Sequence, residues 1–118
     1  MIAKMEITGV HTDLDKELKK YVYKKIGKMD RYIPRRARDS AHADVKLVEK
    51  NIKNKKECTC EVVLKLPMET LIIKESTMNM YASVDIVETK LKNQLKKYKD
   101  KHSVKRVSRQ MLNKLRSR

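Results

Sequence analysis

An α+β fold, a two-layer β-α-β-β-β-α sandwich with two helices packed on one face of a four-stranded sheet, follows from three features of the sequence. Two stretches repeat apolar residues at three- and four-residue steps, which is helical spacing. Four shorter stretches alternate apolar and polar residues or run apolar between turn-forming residues, which is strand spacing. A helix stripe and a sheet face each need a surface to bury against, and laying both helices on one sheet face satisfies them all. The 118 residues sustain one such core and no second domain.

The first strand runs from Ala3 to Thr8, alternates Met5 and Ile7 with Lys4 and Glu6, and stops at Gly9. Asp15 then caps a helix of roughly 17 residues in which Leu18, Val22, Ile26, Met29 and Ile33 share one face until Pro34 ends the pattern. Lys16, Lys20, Lys24, Lys28 and Arg31 fall on the opposite face, with Tyr21 and Lys25 at the edge of the apolar stripe. Arg35 to Ser40 reads as a loop, and Ala43, Val45 and Leu47 mark the second strand. The polar run Asn51 to Glu57 is expected to be a loop before a third strand, whose Cys58, Cys60, Val62, Leu64 and Leu66 share a face. Pro67 to Thr70 turns the chain into a fourth strand, Leu71 to Glu75, so these three strands form an antiparallel meander. Ser76 and Thr77 are expected to cap the second long helix, with Met80, Val84, Val87, Leu91, Leu95 and Tyr98 inward and Lys90, Lys92, Lys96 and Lys97 opposite. Residues 1–100 thus form the domain, and 101–118 a basic tail, either mobile or a short helix.

Charge is segregated along this layout. The formal net charge is +15, yet residues 16–36 carry +7, residues 90–118 carry +11, and the remainder is −3. Both helices therefore present Lys and Arg outward around a slightly acidic sheet, which favours a polyanion as partner. Only eight of the thirty basic residues are Arg, and compact ammonium charges suit phosphate attraction better than reading of base edges. With Tyr as the only aromatic residue, the stacking platforms of single-strand-binding sheets are missing.

Other chemistries find little support. His11, His42 and His102 are far apart with no nucleophile motif beside them, so the chain does not read as an enzyme and has no small-molecule substrate. Cys58 and Cys60 supply at most half a zinc site and read as small core residues, so no metal is expected. Gly9 and Gly27 stand alone, so no phosphate loop and no cofactor is indicated. No apolar run reaches membrane-span length and the first residues lack a secretory signal, which predicts a cytoplasmic protein without membrane contact.

The segments EITG, LDKELKKYVYKKIGKMDRY, AHADVKLVEK and, above all, STMNMYASVDIVETKLKNQLKKYKDK resemble the ribosome hibernation-promoting and ribosome-associated inhibitor family, also known as sigma-54 modulation proteins, over about residues 1–100. The resemblance implies a fold related to the double-stranded-RNA-binding domain. It further implies a translation inhibitor that docks on the small ribosomal subunit in the messenger and transfer RNA channel, with basic residues of both helices on ribosomal RNA. Carried over by motif, the first-helix contacts fall on Lys25, Lys28 and Arg31, and the second-helix contacts on Lys90, Lys92, Gln94, Lys96, Lys97 and Lys99. Lys20 and Lys24 join the rRNA-binding set from their outward placement.

Two positions depart from the family pattern: Asn79 stands where Asp usually precedes Met-Tyr, and Asn93 where an Arg often precedes Gln-Leu. Long members add a dimerisation domain after a basic linker, so the chain reads as a short-type member or part of a longer one. Charge reversal at Lys28 and Lys97 is expected to abolish ribosome association and leave the fold intact. The alternatives are a general double-stranded-RNA-binding module and a protein-interaction regulator of a transcription factor that would use the sheet face or loops.

Overall fold

The computed structural model describes Ile2 and residues 4–102. Strand β1 (Lys4–Val10) leads into helix α1 (Lys16–Gly27), a 3-10 turn (Lys28–Tyr32) and a one-turn helix α2 (Arg35–Arg38). Strands β2 (His42–Ile52), β3 (Lys55–Leu66) and β4 (Glu69–Thr77) follow, and the long helix α3 (Met80–His102) closes the order. The sheet order is β1-β2-β3-β4, with β1 parallel to β2 and the other pairs antiparallel. The helical crossover through α1 allows that one parallel pairing, because parallel neighbours need a long connection. The expected architecture is thus present; of the tail expected over 101–118, Lys101 and His102 complete α3, and the rest lies outside the described residues.

The core is the space between the helices and one sheet face. Leu18, Val22 and Ile26 of α1 and Val84, Val87, Leu91 and Leu95 of α3 meet Ala43, Val45, Leu47, Cys58, Cys60, Val62 and Leu64 of the sheet, all buried. α3 packs across β3 and β4 and against α1 and the 3-10 turn. Ser83 fixes its height: the buried hydroxyl donates to the Cys58 carbonyl at 2.7 Å. Both thiols pack inward beside Val62 and Leu64, and burial pushes the Cys60 thiol up to about 12.

Local chemistry moves several boundaries. β1 runs through Gly9 and ends at Val10, before His11, whose φ of 56° breaks the strand. Gly9 serves close packing, since a Cβ there would lie 2.8 Å from Leu14 Cγ and 3.1 Å from the Thr12 carbonyl. The expected 17-residue helix is α-helical only to Gly27 and then tightens to 3-10 geometry, which still buries Met29. Ile33, ahead of Pro34, is extended, as the proline ring requires. The presumed loop Arg35–Ser40 contains α2, seated by buried Ala37 and by Arg38 Nε donating to the Ile33 carbonyl at 2.9 Å.

The presumed loop Asn51–Glu57 is mostly strand. β2 and β3 extend until only Lys53 and Asn54 remain as the turn, both with positive φ (51° and 64°), the pattern of a type I′ hairpin. Pro67 and Met68, the latter at φ 72°, make the next turn, and β4 begins earlier and ends later than expected. Asn79, rather than Ser76 or Thr77, caps α3: its Oδ1 accepts from the Tyr81 amide at 2.8 Å and the Ala82 amide at 3.4 Å. Thr77 supports it by accepting from the Asn79 amide at 3.1 Å.

Candidate nucleic-acid interface

Helical geometry decides where the basic residues point. On α1, Leu18, Val22 and Ile26 face the core, so Lys20 and Lys24 project away from it and are exposed. Lys25 instead leans toward α3, its side chain 27% exposed. Its ammonium is 5.5 Å from the Tyr21 ring centroid, 3.8 Å from Asp85 Oδ1 and 3.9 Å from Glu88 Oε1. Lys28, in the 3-10 turn, also turns inward, with Nζ 3.7 Å from Glu88 Oε2 and a side chain 41% exposed. The reading of Lys28 as wholly outward is corrected: its side chain, three residues on from Lys25 and on the same side, reaches back toward Glu88 of α3. A Lys28→Glu change would set two carboxylates together and is expected to cost some stability.

The α3 residues divide between two flanks, because successive residues turn by about 100° around an axis whose inward direction is Leu91. Lys92, Lys96 and Lys99 lie on the flank toward α1 and the 3-10 turn, where Lys92 Nζ is 5.3 Å from the Tyr32 ring centroid. Lys90, Gln94 and Lys97 lie on the flank toward β4, where they line a shallow groove with Ile72, Lys74 and Glu75. Lys90 is ion-paired with Glu75 there. Arg31 is exposed beside Tyr32. The structure therefore brings Lys25, Lys28, Arg31, Lys92, Lys96 and Lys99 to one side of α3 and leaves Lys90, Gln94 and Lys97 on the other.

Among the described residues, Lys20, Lys24, Lys96, Lys97 and Lys99 are exposed and make no ion pair. Exposed ammoniums without carboxylate partners are free to neutralise phosphate at little desolvation cost. The seam between α1 and α3 is different, being a network. Tyr21 donates its hydroxyl to Asp85 and packs edge-on against Tyr81, with ring centroids 4.9 Å apart. The bond to the carboxylate pushes the Tyr21 phenol up to about 12, with burial adding to it. On the same side Tyr32 is lowered by its hydrogen bond with Lys92.

Sequence reasoning missed the acidic half of this seam. The signal was present: Asp85 and Glu88 stand three residues apart on α3, as do Lys25 and Lys28 on the facing element, which is the spacing of neighbours on one helix side. A second missed group lies on the sheet face away from the helices. Ligand atoms of Glu6, His42 and Asp44 fall within 4.8 Å of one another. Parallel pairing places Glu6 opposite Asp44, a juxtaposition of residues 38 apart in sequence that depends on the β1–β2 register. His42 Nε2 and Asp44 Oδ1 are hydrogen-bonded at 2.9 Å, so this pair is satisfied without an ion.

The comparisons with known proteins agree with the fold. The profile of the family described as sigma 54 modulation protein / S30EA ribosomal protein matches residues 5–103. The ribosome hibernation promotion factor of Lactococcus lactis is 32% identical over 96 residues, covering 81% of this chain and 49% of its own length. That of Staphylococcus aureus is 30% identical over 96 residues, covering 81% and 48%. The chain thus spans about half the length of these curated relatives. Among solved structures, a ribosomal subunit interface protein from Coxiella burnetii is similar with a TM-score of 0.66 and 26% identity, over 81% of this chain and 97% of that one. The Thermus thermophilus Protein Y N-terminal domain, at 23% identity, TM-score 0.61 and coverage of 82% and 97%, shares the fold. With a family profile spanning nearly all the described residues, on the sheet order and helix placement seen in the structure, this chain belongs to the sigma 54 modulation protein / S30EA ribosomal protein family.

Proposed function

We propose that this chain is a non-enzymatic ribosome hibernation factor. It binds the small ribosomal subunit, sets its basic helix flanks against ribosomal RNA phosphates in the messenger and transfer RNA channel, and silences the ribosome by steric competition. The observation that carries the reading is the set of exposed lysines, Lys20, Lys24, Lys96, Lys97 and Lys99, that have no ion-pair partner among the described residues and lie on the helical side of a domain whose relatives are hibernation and subunit-interface proteins. Phosphate contacts supply the affinity, and the fit of the helix pair to a folded RNA surface supplies the placement. Arg31 adds a forked donor beside Tyr32, and Gln94 a neutral one in the groove by β4. No helix among the described residues is long and apolar enough to cross a membrane, which is compatible with action on cytoplasmic ribosomes.

A competition experiment separates this reading from a general duplex-RNA-binding module. The labelled protein is mixed with small subunits and a phosphate-matched excess of plain RNA duplex, then sedimented. Retention on the subunits is expected. Transfer to the duplex in proportion to phosphate would contradict a ribosome-specific role.

A further inference from the structure

Glu88 sits where a phosphate-binding surface should least tolerate a carboxylate. Its side chain is 19% exposed, and its Oε2 is shut away from solvent with no hydrogen-bond donor. What it has instead is charge: Lys28 Nζ at 3.7 Å, Lys25 Nζ at 3.9 Å, and between Lys25 and its neighbour Asp85 a further 3.8 Å pair. A carboxylate so placed gives up hydration and is held by attraction to ammoniums. That compensation lasts only while Lys25 and Lys28 lean across the seam. Both lysines belong to the residues proposed to meet RNA, so the same two charges have two competing anions.

We infer that Glu88, assisted by Asp85, is an internal stand-in for phosphate that keeps Lys25 and Lys28 in the α1–α3 seam and thereby penalises generic RNA binding. The inference rests on the RNA-binding reading above. An RNA that draws the two lysines outward leaves Glu88 buried without its counter-charges. One whose phosphates lie along the seam shares the ammoniums with Glu88 and avoids that loss. A regular duplex touching the outer flanks meets the first situation, and a folded RNA surface that follows the seam meets the second. Discrimination then comes from a cost imposed on the wrong partner, in addition to contacts with the right one. Glu88 is on this account a positioning residue that sets specificity through Lys25 and Lys28 and touches no RNA itself.

The test compares the wild type with Glu88→Gln, Asp85→Asn and Glu61→Gln, each measured against a plain 20-base-pair RNA duplex and against small subunits at fixed salt. Glu61 is on β3, facing away from the helices, and its loss changes net charge equally. Glu88→Gln is expected to tighten duplex binding by roughly 3- to 10-fold, the scale of one or two freed surface charges, and subunit binding by less. Asp85→Asn should move duplex affinity the same way by a smaller factor, and Glu61→Gln should leave the ratio of the two affinities unchanged. Unchanged or weaker duplex binding by Glu88→Gln, or an equal gain from Glu61→Gln, overturns the inference. Should Glu88→Gln fail to fold by circular dichroism, Asp85→Asn carries the test alone, with a duplex gain supporting it and none overturning it. A wild type that ignores small subunits would instead contradict the hibernation reading, while the duplex series would still report on Glu88.

Discussion

Tyr21 shows how a single bond ties stability to pH. Its hydroxyl donates to the Asp85 carboxylate, and that bond, with burial second, raises the phenol from its ordinary 10 to about 12. A raised pKa in the folded state means the contribution is complete below about pH 10 and is lost as pH climbs toward about 12. Denaturant titrations of the wild type and Tyr21→Phe should therefore differ most near neutral pH and converge in that alkaline window; a constant difference would contradict the bond's role. Individual residues were also the least legible scale. Periodicity placed Leu18, Val84 and Leu91 in the core because burial is a matter of helix face. It erred on Lys28, because a lysine stem is long enough to reach from the helix edge to a carboxylate on the facing helix, and a count of apolar positions does not register that partner. Asn79 illustrates the opposite case. It departs from the family's usual Asp and still caps α3, since an amide oxygen accepts the first-turn amides much as a carboxylate does.

Elements were legible wherever one face is buried. The alternation through Cys58, Cys60, Val62, Leu64 and Leu66 fixed the β3 register, because slipping by one residue would turn all five to solvent. The hairpin between β2 and β3 was hidden, since Asn51 to Glu57 are polar apart from Ile52, which is itself exposed, and that end of the sheet buries little until Cys58. Its turn also uses Lys53 and Asn54 at positive φ where Asn-Gly would be the ordinary choice. Replacing the pair, Lys53→Asn with Asn54→Gly, is expected to relieve left-handed strain and stabilise the domain by about 0.5–1 kcal/mol, seen as a higher denaturation midpoint at unchanged slope. A lower midpoint would show that the Lys53 side chain has a role the backbone does not reveal.

For the whole molecule, the sequence-level charge partition and the three-dimensional arrangement agree on which side is basic and differ on how it is built. Residues 16–36 and 90–118 hold the excess, and their described parts lie on the helical side of the sheet. The surface is nevertheless not one even patch, because α3 separates a flank toward α1 from a groove beside β4, and the seam between helices is partly neutralised by Asp85 and Glu88. Neither division could be read from a linear charge count, since both depend on which helix sides meet. The central claim is that phosphate contacts from the unpaired lysines hold the protein on the small subunit. Sedimentation with purified small subunits at 50 and 200 mM salt, for the wild type and for Lys24→Glu with Lys96→Glu, tests it most directly. If about six to eight phosphates are neutralised, wild-type affinity should fall by roughly three or more orders of magnitude between those salts. The folded double variant should already be lost at the lower salt. Wild-type binding that ignores salt, or a double variant that sediments as well as the wild type, would contradict the account.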